Sequence, residues 1–562
     1  MEKSVQRQLV LINKEFQCYL KEMKHLRKDE SPIGLQKVGI ALINLRIISQ
    51  ENGFLDTIDV ELEASISSNR LPQNQFKVGD LVIFQAKADE KKSKDDDNLL
   101  SGVVLKSNDY KISISTDDEI PYEWNNICTI IKVSSDITYT RMIQALKKLL
   151  LKVQKNNGMS IEPLESVLLG QSLPTFNTAD NSEILSGDID GFYSRNLNQS
   201  QMDAVKLALS AKETGKTHTI VEIIKQLEAK NLKVLVCGPS NISVDNIAEK
   251  LIENSVECVR IGHPAKVLKS VSILSTLSGA DSEKIKSLKF DVVVIDEAGQ
   301  TLEAECWIAI NKGEKLILAG DHLQLPPTVK SQDAENNQND YRKDLLKHYI
   351  PESKGEQINI KKIEDFCSST LYMTLFERMM LMYGSSISKM LTTQYRMNEE
   401  IMKFSSKHLY ENKLIAHQSN RSHLLSENKG IESTKETSVP LIFIDTEYDS
   451  DYIESSKSSD FSIGKDKQGL MGASSKYNRG EANLVAKHVK LLSEAGVPQS
   501  DIAVISPYNA QVRAVKTVLH KEYPDIEVGS VDGFQGREKD VSIGSMFVSA
   551  FKKVRENFQH LK

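Results

Sequence analysis

A few short segments hold the residue types that could act on a phosphorylated ligand. In DVVVIDEAGQ, residues 291–300, a buried hydrophobic strand ends in Asp296-Glu297. Ligands of open α/β sheets sit at the strands' carboxyl ends. In a nucleotide hydrolase, Asp296 there would hold Mg²⁺ and Glu297 would polarise the attacking water. An acidic strand-to-loop turn fits the same residues equally. Gly215-Lys216-Thr217 has the form of a phosphate-loop tail, with Lys216 reaching the β/γ-phosphates and the Thr217 hydroxyl on Mg²⁺. The full pattern G-x-x-x-x-G-K-[ST] asks for glycine at 210, which is Ser210, and for a preceding buried strand. Residues 203–212, DAVKLALSAK, read instead as an amphipathic helix, so in isolation the run reads as a polar helix start. LAGDHLQLPP (318–327) sets Gly320-Asp321 at a strand end, followed by Gln324, an amide able to touch a γ-phosphate. QYRM (394–397) offers the Tyr395 ring to a base and the Arg396 guanidinium to phosphate. VDGFQGREKD (531–540) places Gly536 and Glu538 in a turn that could meet ribose and phosphate. Each of these, alone, could be structural.

The elements around these segments are legible from periodicity. From about 196, β-branched runs alternate with helices: KVLVCGPS (233–240), DVVVIDEAG (291–299), KLILAGD (315–321), LIFIDT (441–446) and IAVISPY (502–508). Such runs predict buried parallel strands of an α/β fold. Upstream, Leu9, Ile12, Phe16, Tyr19, Met23 and Leu26 step by three and four and predict one helix over residues 1 to about 30. A second helix starts near Asp136, with Met142, Ala145, Leu146, Leu149, Leu150 and Val153 on its seam. The two stripes could bury each other as an antiparallel stalk, or each could pack separately on a domain. Between them FKVGDLVIF (76–84), SGVVLK (101–106) and KISIS (111–115) read as short strands of a small barrel. EKKSKDDDN (90–98), 331–370 and 447–477 read as polar surface loops or insertions. The expected division is a helix and lead-in strand over 1–60, the barrel over 61–135 and stalk helices over 136–195. A first α/β domain then spans 196–330, an insertion with a connecting helix 331–384, and a second α/β domain 385–562.

Composition narrows the class. At about 100–200 residues per domain, 562 residues allow several domains. No apolar run reaches the roughly 18 residues of a membrane span, and the charged N-terminus does not read as a secretory signal. Six cysteines with no C-x-x-C pair argue against a zinc module or disulfide framework and for a reducing compartment. A net charge of −6 demands no polyanionic partner but permits a local basic groove.

The order of the segments decides more than any one of them. LNQSQ (197–201), GKT, GPSNISVDN (238–246), RIGHPAKV (260–267), STLSGA (275–280), DEAGQ, GDHLQLPP, LTTQYRM, ISPYNAQ (505–511) and VDGFQGREKD follow one another along nearly the whole chain. This succession resembles superfamily 1 helicases, in the branch typified by the nonsense-mediated-decay helicase. The resemblance implies an α/β fold of two RecA-like parallel-sheet domains, each incomplete here, with ATP bound between them. An N-terminal helical stalk would carry the small β-barrel. By the same resemblance Gln201 reads the adenine edge, Tyr395 stacks on the base and Glu538 contacts the ribose, with Gly215 and Gly536 in ATP-binding turns. Lys216, Thr217 and Asp296 hold phosphate and Mg²⁺, Glu297 activates water, and Gln324 and Arg396 sense the γ-phosphate. Pro239, Ser240, Asn241, Thr276 and Tyr508 would line a single-strand channel, which combines backbone contacts with stacking. Implied partners are single-stranded DNA or RNA and a replication polymerase or ribosome-associated factors, with no membrane. The implied protein is a 5′-to-3′ helicase, monomeric, in nucleus and cytoplasm.

Three departures from the family pattern bear on activity. The strand and Gly-Pro-Pro-Gly turn that belong between Glu213 and Thr214 are absent. The missing strand would be central, and its neighbours would lose ladder partners. The interval Pro264–Asp296 is short where the family carries a helical subdomain. The tail VSAFKKVRENFQHLK carries no arginine motif of the kind that supplies an arginine finger, a device worth about 10³–10⁵ in rate. These gaps interrupt intact motifs rather than eroding them, which favours an incomplete gene model or splice product of a helicase. The competing reading is a catalytically dead nucleic-acid- or partner-binding protein. A metabolic phosphotransferase does not account for QYRM and GREKD in their order.

Overall fold

The computed structural model describes residues 2–29, 32–52, 58–64, 71–72, 74, 76, 80–86, 100–108, 110–116, 120–121, 124, 127–132, 136–155, 161–175, 193–194, 197–210, 217–261, 272–329, 331, 370–446, 451–452, 454–455, 476–519, 521–534 and 537–546. The charged loop 90–98 and most of 331–370 and 447–477 lie outside them, as do the side chains of Met23 and Leu26. Two compact units divide between Leu391 and Thr392.

The first unit begins with helices α1 (Glu2–Asp29) and α2 (Pro32–Val38). A closed barrel follows, of strands β1 (Ala41–Asn52), β2 (Ile58–Ala64), β3 (Leu81–Ala86), β4 (Ser101–Ser107), β5 (Lys111–Thr116) and β6 (Ile127–Lys132), in the order β1-β2-β5-β4-β3-β6. It therefore starts at Ala41, ahead of the expected boundary at 61. The lead-in strand β1 pairs with both β2 and β6 and closes the barrel. Alternation supplies its core: Val60, Leu62, Ile112 and Ile114 are buried on paired strands.

Helix α3 (Asp136–Lys155) leaves the barrel and runs antiparallel to α1. Gln154 Nε2 donates to Glu2 Oε1 at 2.7 Å near one end. Towards the other, the Tyr139 ring meets those of Phe16 and Tyr19 at 5.1 and 5.3 Å. Met142, Leu146, Leu149 and Val153 are buried, as their spacing predicts. They belong to the same apolar cluster as the first α/β sheet, so the helix pair is packed on a domain as well as on itself.

That sheet has five parallel strands. Its members are β7 (Val234–Gly238), β8 (Cys258–Arg260), β9 (Ser272–Thr276), β10 (Phe290–Ile295) and β11 (Gly313–Leu318), in the order β11-β10-β7-β9-β8. β7 is buried at every position because helices cover both faces. After the short helix α4 (Pro163–Leu168) come α5 (Gln199–Ser210), α6 (Thr217–Ala229) and α7 (Asn241–Glu253), which pack on one face. Helices α8 (Glu303–Ile310) and α9 (Leu375–Tyr383) join α1, α3 and α4 on the other. β11 pairs only with β10, so the sheet ends there among the described residues. Residues 211–216, between α5 and α6, lie outside the described set.

In the second unit, short strands β12 (Thr393–Gln394) and β13 (Ile415–Ala416) pair around α10 (Glu399–Leu409), and β14 (Glu454–Ser455) pairs with β15 (Tyr477–Asn478). Helices α11 (Arg479–Glu494), α12 (Asn509–Leu519) and α13 (Val531–Phe534) accompany a parallel sheet of β16 (Ile502–Ser506), β17 (Glu527–Ser530) and β18 (Val541–Gly544), ordered β17-β16-β18. LIFIDT, expected as a buried strand, is not one. Residues 441–446 join no sheet, and Leu441 and Phe443 are more than 60% exposed. A cavity of about 930 Å³ has both this run and β18 in its walls. β-rich composition becomes a strand only by pairing with a partner edge, and residues 441–446 pair with none among the described residues.

The ends of β10 and β11 meet backbone to backbone. Ala319 N donates to Ile295 O and Ala298 N to Ala319 O, both at 2.8 Å. A Cβ on Gly320 would lie 2.7 Å from Gly299 N, and one on Gly299 would lie 2.7 Å from Asp321 O. Gly320→Ala is expected to destabilise the first unit by about 1–3 kcal/mol through this overpacking. A thermal melt equal to wild type would contradict it. Burial also pushes the Glu305 carboxyl up to about 7. Its folded form keeps a proton that the unfolded chain releases above about 4.5, so this contribution to stability falls as pH rises from about 4.5 through 7. Glu305→Gln should flatten that fall and raise the unfolding free energy at pH 8 by about 1–3 kcal/mol. Denaturant titrations at pH 5 and 8 check it, and an unchanged pH dependence would contradict it.

Candidate nucleotide and nucleic-acid site

In the first unit the parallel sheet delivers its candidate residues to one edge. Asp296 N donates to Cys237 O at 2.8 Å, joining the end of β10 to that of β7. Leu277 N donates to Gly238 O at 3.0 Å, joining the end of β9 to that of β7. Gly320-Asp321, Asp296-Glu297, Pro239-Ser240-Asn241 and Thr276 therefore stand in a row along the carboxyl edge, where ligands of such sheets bind.

Asp296 is buried, whereas Glu297 is half-buried. Glu297 has φ 53° and ψ 36°, a left-handed conformation that costs a side-chain-bearing residue about 1–3 kcal/mol. The turn holds it there. Gln300 N and Thr301 Oγ1 donate to Glu297 O at 3.0 and 3.3 Å, and Gln300 Nε2 donates to the carboxylate at 2.8 Å. Asp321 orders the next loop, accepting from Leu323 N at 3.0 Å and from Gln324 Nε2 at 2.9 Å. Gln324 is thus held against its own loop.

Gln201 lies in the first turn of α5, where its side chain does capping work. Asn198 N donates to Gln201 Oε1 at 2.9 Å and Gln201 N donates to Asn198 Oδ1 at 3.0 Å. This is the reciprocal pattern of a capping box. Thr217 is the first residue of α6, and its side chain is outside the described set together with Gly215, Lys216 and Gly536.

Ser240 caps α7 by accepting from Ser243 N at 3.1 Å. Asn241 Oδ1 accepts from Arg260 Nη2 at 2.7 Å, while Arg260 Nε donates to Asp245 at 2.8 Å. Thr276 Oγ1 accepts from Gly279 N at 3.1 Å. The following turn is pinned by α3, where Arg141 Nη1 donates to Ser278 O at 2.8 Å.

In the second unit Gln394 staples the QYRM turn. Its Oε1 accepts from Arg396 N and Met397 N, both at 2.9 Å, and its Nε2 donates to Met397 O at 2.7 Å. Tyr395 is 41% exposed, with its ring 4.4 Å from that of His417. Arg396 Nε donates to Glu538 Oε2 at 2.8 Å. Two residues assigned separate ligand roles are therefore paired with each other. Exposed pairs are worth about 0–1 kcal/mol, so a ligand could open this one at small cost. Tyr508 lies half-buried between β16 and α12. Arg260, Asn198, Gln394 and His417 were not singled out in the sequence. Asn198, Gln394 and Arg260 all sit within motifs; the first two pair inside their own motif, whereas the Arg260 contact with Asn241 spans 19 residues and depends on where β8 falls.

The residues present fit part of a nucleotide site. Mg²⁺ takes one or two carboxylates and fills its other positions with water and phosphate oxygens, which suits the strand-end Asp296. No cluster of three or more metal-ligating side chains occurs among the described residues. The phosphate cradle would fall on residues outside them.

Comparison with known proteins bears on the family. Residues 5–132 match the 1B domain of the helicase SMUBP-2/HCS1 family. Residues 196–273 and 266–332 match one AAA domain family, and 371–558 match another. DNA-binding protein SMUBP-2 of Rattus norvegicus is 32% identical, over 97% of this chain and 58% of that protein. The chain thus spans little more than half the length of that relative. DNA polymerase alpha-associated DNA helicase A of Schizosaccharomyces pombe is 31% identical, over 91% of this chain and 83% of that one. The Saccharomyces cerevisiae protein of the same name is 29% identical, over 95% and 90%. With two AAA domains, the family's own 1B domain and likeness along nearly its whole length, the chain belongs to the superfamily 1 helicase family of SMUBP-2 and DNA polymerase alpha-associated DNA helicase A.

Proposed function

We propose that this chain is an ATP-dependent helicase or translocase that moves 5′ to 3′ along single-stranded DNA or RNA. The observation that carries this reading is the row of strand ends, which sets Asp296 and Glu297 beside Pro239, Ser240, Asn241 and Thr276. Bound ATP with Mg²⁺ supplies the phosphoanhydride bond whose hydrolysis drives movement. Asp296 and Thr217 would hold the metal, with Lys216 and Gly215 at the phosphates. Glu297, fixed by the turn around it, would accept the proton of the attacking water. Gln324 and Arg396 would contact the γ-phosphate once released from Asp321 and Glu538. Tyr395 would stack on the base, and Glu538 and Gly536 would meet ribose and phosphate. Gln201 would offer its amide nitrogen to adenine N7, its oxygen being engaged by Asn198. Pro239, Ser240, Asn241, Thr276 and Tyr508 would grip the strand. The polymerase-associated relatives support a replication polymerase as partner and work in the nucleus. RNA substrates, ribosome-associated partners, a cytoplasmic pool and a monomeric state follow from the resemblance alone.

A second reading has its own observation. The short sequence interval 211–216 and the edge position of β11 among the described residues favour a chain that binds strands or partners without efficient turnover.

An ATPase assay with and without single strands separates the two. Turnover raised by the strand supports the helicase; strand binding with no turnover supports the binder. Where turnover is present, Glu297→Gln should lower it by about 10²–10⁴-fold and leave nucleotide binding intact. Full turnover in that variant would refute the role of Glu297. Strand affinity should fall steeply with salt, each neutralised phosphate adding about −0.7 to the log–log slope. A salt-independent affinity would refute the channel.

A further inference from the structure

A buried ion pair stands behind the hydrolytic turn. Glu303 opens α8, directly downstream of the turn that holds Glu297. Arg378 of α9 grips it with both arms, Nε donating to Oε2 at 2.9 Å and Nη2 to Oε1 at 2.5 Å. Their side chains are only 9% and 4% exposed. Arg378 Nη1 also donates to Leu168 O at 2.7 Å, and Trp307 Nε1 donates to Glu303 Oε1 at 3.2 Å. Ser4 and Gln8 of α1 help enclose a cavity of about 20 Å³ beside the pair.

Helix α9 touches both candidate catalytic loops. It packs against the turn Ala298–Gln300. Its Phe376 ring lies 6.3 Å from that of His322, in the loop carrying Asp321 and Gln324. Tyr383 at its other end donates to Val167 O at 2.6 Å. A buried ion pair is a poor source of stability, since apolar residues of like volume often replace it without loss. What a bidentate fork supplies is one fixed geometry between two helices.

We propose that Glu303 and Arg378 are positioning residues that lock α9 in the one setting that holds the Glu297 turn and the Asp321–Gln324 loop ready for hydrolysis. The proposal rests on the helicase reading for its consequence in turnover, but its structural half can be read without turnover.

The test compares wild type, the apolar double variant Glu303→Leu/Arg378→Met, and Arg378→Lys, which keeps the charge and loses the fork. Thermal unfolding checks the fold. Hydrogen–deuterium exchange then reads peptides covering 296–302 and 320–324, and steady-state kinetics reads ATP turnover with a single strand. Both variants should raise exchange in these peptides about tenfold. The folded double variant should lose about tenfold in kcat with KM for ATP changed less than twofold. Wild-type exchange in a folded variant would overturn the proposal, as would wild-type kcat in the double variant. If the double variant does not fold, Arg378→Lys decides by exchange alone. Should wild type show no strand-stimulated turnover, the helicase reading fails, while exchange still decides the latch.

Discussion

Where β10 and β11 end, their main chains come within hydrogen-bonding distance one last time. Ala319 donates to Ile295 and Ala298 donates back to Ala319, with Gly299 and Gly320 facing each other across a gap that no Cβ could enter. That contact fixes where the DEAG turn must go. It obliges Glu297 to take a left-handed backbone, which projects its carboxylate beside Gln300, and it brings the Asp321 loop alongside. The buried sheet provides the foundation and α9 braces the turn from behind. Strain at a single residue is tolerable because the surroundings over-determine it, and such strain concentrates where chemistry is done.

The candidate hydrolytic turn shares its sheet edge with the candidate strand grip, only one strand away. The Cys237–Asp296 and Gly238–Leu277 bonds join the ends of β10, β7 and β9 directly, main chain to main chain. The helix leaving the barrel adds a further constraint. Arg141 and Thr138 on α3 both hold Ser278, in the turn that follows Thr276. Barrel, sheet and the turn after Thr276 are thus tied together within the first unit.

Much of this was legible in the sequence. Continuous β-branched runs gave β7, β10, β11 and β16, because a strand buried on both faces has no polar side. The seams of α1 and α3 and the barrel's alternation were readable for the same periodic reason. Residues 441–446 misled because composition reports β preference and not the presence of a neighbouring edge. The barrel boundary was placed too late because β1 and β2 mix charged residues into their alternation. The ion pair of Glu303 with Arg378 was invisible, since two charges 75 residues apart show no pattern until the helices carrying them are packed. The departure at the phosphate loop was read from the sequence alone and falls on residues 211–216, outside the described set; among the described residues β11 pairs only with β10.

The central claim is that one edge of the first sheet serves both hydrolysis and strand binding. The most direct test is photo-crosslinking of a single-stranded oligonucleotide, mapped by mass spectrometry. The account predicts crosslinks on peptides containing 239–241 and 275–280, weakened by high salt. Crosslinks confined to the opposite edge, around 230–233 and 311–313, would contradict it.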